Sequence, residues 1–178
     1  MNSNDFDKND ALQDDPSHYF NEEQFSTLVL NSDDFAKKNK EQIKNLVGLL
    51  TSGSTDEKDK ALYILKKEDG REMLLYAIAN SEFKSLRQQL VAACWESGLD
   101  FSKFIEFFVQ LIMDSEYGLS MEACTVIECM EGPFQKNTVE LCLTKLSELF
   151  DSGDEKQPLL EPVIEHLKNI LARLKEEN

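Results

Sequence analysis

Three stretches, LVGLLTSGSTDEKDKALYILKKEDG (Leu46–Gly70), LLYAIANSEFKSLRQQLVAACWESG (Leu74–Gly98) and FVQLIMDSEYGLSMEACTVIECMEG (Phe108–Gly132), align over 25 residues each without a gap. Apolar residues recur in the same columns: Leu46, Leu74 and Phe108; Leu50, Ile78 and Ile112; Leu62, Leu90 and Cys124; Leu65, Ala93 and Ile127. Each stretch has a polar break a third of the way along and ends on glycine. A unit of roughly 30 residues cannot bury its own apolar face, so self-similarity at this spacing implies units stacked on one another.

Within each unit the apolar period is helical. Ile43, Leu46, Val47 and Leu50 fall at i, i+3, i+4 and i+7, which predicts a first helix from about residue 38 to 51. Ser54-Thr55-Asp56-Glu57 reads as a capping box that opens a second helix, with Ala61, Leu62 and Leu65 inward and a stop at Asp69-Gly70, where glycine supplies the left-handed conformation. The second pair repeats the plan with Met73, Leu74, Ala77 and Ile78, a break at Asn80-Ser81, then Leu86, Leu90, Ala93 and Cys94 up to Gly98. Asp100 is the expected N-cap of a fifth helix carrying Phe104, Ile105, Phe108, Leu111 and Ile112 into the middle of the core. A sixth helix offers Leu119, Ala123, Val126, Ile127 and Met130 before Gly132-Pro133, and a seventh runs from about Asn137 to Phe150. Pro158 and Pro162 crowd the start of the eighth, whose regular part is expected after Glu161 because proline is tolerated only in a first turn.

Outside the repeats, residues 1–17 are rich in Asp and Asn with little to bury, which predicts a disordered acidic tail, and residues 18–37 hold clustered aromatic and aliphatic residues suited to cap the first pair. Residues 38–178 then form one repeat domain. Its length and 41% hydrophobic content suffice for a real core.

Eight helices in four antiparallel pairs resemble the HEAT and armadillo class of α-solenoids, over about residues 38–175. The resemblance implies an all-α fold, a short right-handed HEAT-like stack in which the second helix of each pair lines a concave groove. This chain departs from the HEAT pattern in lacking an early proline in each first helix and the repeated Asp and Arg of the second. Its spacing also drifts, from 28 residues between the first two units to 34 between the next.

Charge narrows the partner. A net charge of -15 repels phosphate backbones and anionic lipid heads, so neither nucleic acid nor a membrane is an expected partner; it suits a solubilising surface and leaves a basic protein partner open. The N-terminus has no basic or apolar leader and no run of 18 apolar residues occurs, which fits a cytoplasmic protein. Cys94, Cys124, Cys129 and Cys142 lie in helical segments without a C-x-x-C spacing and read as reduced thiols, mostly small core side chains.

Motifs for chemistry are sparse. His18 and His166 stand outside any metal-ligand spacing, and there is no dinucleotide or P-loop glycine pattern, so neither cofactor nor metal is expected. Asp114, Glu116, Glu122, Glu128 and Glu131 crowd the third pair, but fall mostly opposite its apolar stripe. The expected function is therefore a non-enzymatic adaptor. Its anchors are off-stripe residues of the second helices: Tyr63, Gln88, Trp95, Met121 and Thr125, with Ala92 and Glu128 beside them. Two alternatives follow from the same features: an immunity-type inhibitor of a basic toxin, and an enzyme or cofactor-handling subunit using carboxylates in a concave pocket.

Overall fold

The computed structural model describes residues 33–176, and every regular element in that range is helical. The eight α-helices are α1 (Asp33–Leu50), α2 (Thr55–Glu68), α3 (Arg71–Ala79), α4 (Arg87–Glu96), α5 (Ile105–Asp114), α6 (Tyr117–Glu128), α7 (Lys136–Asp151) and α8 (Gln157–Glu176), with 3-10 turns at Ser81–Leu86 and Ser102–Phe104. The expected tail and most of the expected cap lie outside the described residues. Residues 33–37 of the expected cap belong to α1, which begins at Asp33.

The repeated columns are core positions. Leu46, Leu74, Phe108, Leu50, Ile78, Ile112, Leu90, Cys124, Leu65, Ala93 and Ile127 are all buried, and Leu62 packs half-buried against them. The middle of the core is α5, where Ile105, Phe107, Phe108, Val109, Leu111 and Ile112 are buried on nearly all sides. Phe108 meets the rings of both Phe101 and Phe107 edge-on, with centroids 5.7 and 5.3 Å away. A single inward stripe leaves out Phe107 and Phe101, and Phe104, expected inward, is only half-buried. On α5 only Glu106, Gln110, Met113 and Asp114 keep partial exposure, so the buried arc is wider than the stripe read from the sequence.

Consecutive helices pack together in the pairs α1/α2, α3/α4, α5/α6 and α7/α8. Alternate helices also touch: α1 with α3, α5 with α7, α4 with α6, and α6 with α8.

The turns between these helices correct several details. Ser54 Oγ accepts from the Glu57 amide at 3.5 Å as the capping box requires, but the left-handed residue at the end of α2 is Asp69 (φ 52°), not Gly70. Asp tolerates that conformation with its short polar side chain. Gly70 is needed for space instead, since a Cβ there would overlap the Leu65 side chain. Asn80 caps not an α-turn but the 3-10 segment, its Oδ1 accepting from the Glu82 amide at 2.9 Å, and that segment buries Phe83. Asp100 accepts from the Ser102 amide at 3.2 Å just ahead of the 3-10 turn, whose N-cap is Phe101, while α5 itself starts without a side-chain cap. Pro162 sits inside α8, which begins at Gln157 rather than after Glu161. Proline has no N–H to donate to the Pro158 carbonyl one turn back, and Pro158 and Pro162 are both exposed.

Helices α3, α5 and α7 carry no basic residue in their last turns. Their terminal carbonyls are capped from elsewhere. Buried Arg87 donates through Nε to the Ile78 carbonyl (2.8 Å) and through Nη2 to that of Ala79 (3.4 Å). Buried Lys156, in the α7–α8 turn, donates to the carbonyls of Ile112 (2.8 Å), Ser115 (2.9 Å) and Met113 (3.5 Å). Gln157 Nε2 donates to the Phe150 carbonyl at 2.6 Å. Cationic or amide donors at a helix C-terminus satisfy orphan carbonyls and complement the helix dipole.

The turns that follow α2, α4 and α6 are bonded to one another. Arg71 grips Asp69 through Nε and Nη2 and donates through Nη1 to the Asp100 carbonyl at 2.8 Å. Asp100 Oδ1 in turn accepts from the Glu131 amide (3.3 Å), and Ser102 Oγ accepts from the Gly132 amide (2.8 Å).

Candidate partner-binding face

Helix α6 divides its surface sharply. Leu119, Ala123, Val126 and Ile127 are buried, whereas Tyr117, Met121, Thr125 and Glu128 fall within an arc of roughly 80° on another side, at about 100° per residue. Tyr117 is 40% and Met121 42% exposed, large values for side chains of their size and polarity.

Helix α4 borders one edge of this stripe. Gln88, Ala92 and Trp95 lie on one line of α4 at i, i+4 and i+7, and both ends of that line meet α6. The Gln88 amide packs where a Cβ on Gly118 would stand, with its Oε1 only 3.3 Å from that position. Trp95 Nε1 donates to Glu122 Oε2 at 3.0 Å, which fixes the indole across the helix seam and leaves the side chain 38% exposed. Gln88, Trp95, Met121 and Thr125 are thus brought together by two adjacent helices. Tyr117, one turn before Met121, belongs to the same patch and is absent from the sequence-derived set, although the i, i+4 spacing to Met121 points to it.

Tyr63 stands apart on α2, 68% exposed. Lys58 and Leu62 of α2 line the side facing α4, and Tyr63 is one residue, roughly 100°, further round. The seam between α2 and α4 is held by Lys58 Nζ, 2.7 Å from both Glu96 carboxylate oxygens. Beside this pair opens a cleft of about 580 Å³ walled by Leu50, Leu62, Thr51, Ser54, Asp59 and Gln89.

Helix α8 borders the other edge. His166 of α8 is half-buried with Nε2 lacking a hydrogen-bond partner, and burial pushes its pKa below the ordinary value, opposed by the nearby Glu128 carboxylate and aided by Arg173.

Charge along this stretch of chain is one-sided. From Gln88 to Gln135 the chain holds eight carboxylates (Glu96, Asp100, Glu106, Asp114, Glu116, Glu122, Glu128 and Glu131) against one lysine, Lys103, and no arginine. Lys103 lies in the 3-10 turn, where its charge acts on Asp69 rather than on the α6 stripe.

The chemistry available to these groups is limited. Burial raises the thiol pKa of Cys94 well above the ordinary value and pushes Cys124 and Cys142 up to about 12, so these three are protonated and weakly nucleophilic at neutral pH. Cys129 is exposed at the C-cap of α6. Among the described residues no three His, Cys, Asp or Glu side chains gather closely enough to hold a metal ion. Of the crowded carboxylates, Asp114 accepts from Gln110 Nε2 at 2.7 Å and Glu122 from Trp95, so each is matched to a donor rather than to a second acid. Among the described residues no helix is long and apolar enough to cross a membrane.

No protein-family model, curated protein or solved structure matches this chain.

Proposed function

We propose that the chain is a non-enzymatic protein–protein interaction module, an adaptor or regulatory protein of HEAT-like build. In this reading the four helix pairs stack as a short right-handed solenoid. Helices α1, α3, α5 and α7 form one layer; α2, α4, α6 and α8 form the other and line the partner's groove. Contact of α1 with α3, α5 with α7, α4 with α6 and α6 with α8 supports the layering. So does the bonding of the turns after α2, α4 and α6 to one another, which is what turns at one end of a stack of antiparallel pairs would do. Arg71 and Asp100 would then tie neighbouring units together without a repeated Asp/Arg pair.

The observation that carries the functional reading is the exposed Trp95, Tyr117 and Met121 on two adjoining second helices. Aromatic anchors of this kind dominate protein interfaces energetically. Tyr63 on α2 would extend the groove toward the first pair.

The test is capture of a partner from the native source by the full chain, compared with Tyr63→Ala, Trp95→Ala and Met121→Ala. Loss of an aromatic anchor should weaken binding by about 2 kcal/mol or more, roughly thirtyfold, with an unchanged helical circular dichroism spectrum. Equal capture by all three folded variants would sink the proposal. Turnover of a small molecule by the purified chain, lost in Glu122→Gln or Glu128→Gln, would favour the enzyme alternative.

A further inference from the structure

We infer that the α4/α6 face takes a cationic, amphipathic segment of its protein partner. The apolar side of that segment would lie on Trp95, Tyr117 and Met121, and its lysines or arginines on Glu122 and Glu128. This rests on the interaction-module reading and names the chemistry of the partner.

The face pairs two features that a neutral or acidic partner would not use together. Its apolar surface is adaptable, because a methionine thioether and two aromatic faces accept side chains of varied shape. Its carboxylates stand in a stretch of chain almost without cations. Of the nearby cations, Arg87 and Lys156 are buried and donate to backbone carbonyls of α3 and α5, and Arg173 of α8 acts on His166 at the bordering edge. Covering Glu122 and Glu128 with apolar or acidic groups would desolvate charge without compensation. Lysines or arginines would pair with both. The indole of Trp95, already oriented by its bond to Glu122, presents a ring to which a cation is attracted.

The only tryptophan in the chain is Trp95, so its emission reports on this face alone. The experiment titrates the full chain with two synthetic peptides of about 18 residues, five helical turns, that share one leucine stripe and contain no tryptophan. Their polar positions are lysine in one and glutamate in the other. The lysine peptide is expected to shift Trp95 emission saturably, with a Kd that rises at least about tenfold between low and moderate salt. Met121→Ala, and separately the pair Glu122→Gln with Glu128→Gln, should each raise Kd about tenfold or more; the amide oxygen introduced by Glu122→Gln still offers the indole an acceptor. Glu140→Gln with Glu148→Gln, the same change of net charge on exposed positions of α7, should leave Kd nearly unchanged. Equal binding of the glutamate peptide, or equal weakening by the α7 pair, would overturn the inference. If Trp95→Ala abolishes capture of a native partner while the lysine peptide does not bind, the cationic inference falls and the interaction module stands.

Discussion

Lys156 is a lysine of the molecular interior whose three N–H donors are directed at the ends of α5 rather than at an acid. Replacing it by methionine keeps the stem and removes the donors, leaving the Ile112 and Ser115 carbonyls to share the one Ser120 hydroxyl, 3.3 Å from each. The expected cost is about 1–2 kcal/mol, the lower part of the range for under-satisfied buried acceptors, read as a lower midpoint in urea unfolding. A change under about 0.5 kcal/mol would mean that water replaces the ammonium. Neither this lysine nor Arg87 was legible in the sequence as a core residue, for a physical reason. Each caps a helix other than its own, Lys156 from more than 40 positions away, whereas sequence reading sees only side chains within a turn of the end they cap. Phe107 and Phe101 escaped for a related reason: periodicity finds one narrow stripe, whereas the buried arc of α5 is wider and Phe101 lies ahead of the helix. The exposure of Trp95 and Met121, by contrast, follows directly from their place off the apolar stripe.

At the level of elements, the boundaries were legible to within a turn wherever glycine, proline or a capping side chain punctuates the apolar period, as at Ser54, Asp69-Gly70, Gly98 and Gly132-Pro133. They were misread where tertiary contact overrides local preference. Pro162 is accommodated inside α8 because that helix packs on α7 and α6 through Leu160, Val163, Ile164 and Leu167, burial that outweighs one lost backbone bond. The seam between α6 and α8 also titrates. The pKa of His166 is lowered from 6.5 in the folded chain by burial. The unfolded chain therefore takes up a proton first as pH falls, so the stability contributed by neutral His166 is complete above about pH 6.5 and declines below it. His166→Gln should flatten unfolding midpoints between pH 6.5 and 5, above the range where carboxylates protonate. An unchanged slope there would assign the pH dependence to other groups.

For the whole molecule, the all-helical class followed from one alignment of three windows, because columns that repeat in sequence are columns that bury together. What the alignment could not supply was the identity of the ties between units. Those turned out to be irregular: Arg71 with Asp100, Asp100 with Glu131, Lys156 with the end of α5, each made by a different residue type at a different place. In the proposed stack these bonds would stand in for the repeated polar signature of the HEAT class. The central claim of the account is that partners bind on the layer formed by the second helices. The most direct measurement places a photo-reactive benzophenone side chain at position 121, on α6, or at position 141, on α7, where Leu141 is similarly exposed. Each variant is then irradiated in the native source. The account predicts a discrete protein adduct from position 121 and none from 141. An adduct from 141 with none from 121 would place the interface on the opposite layer and contradict it.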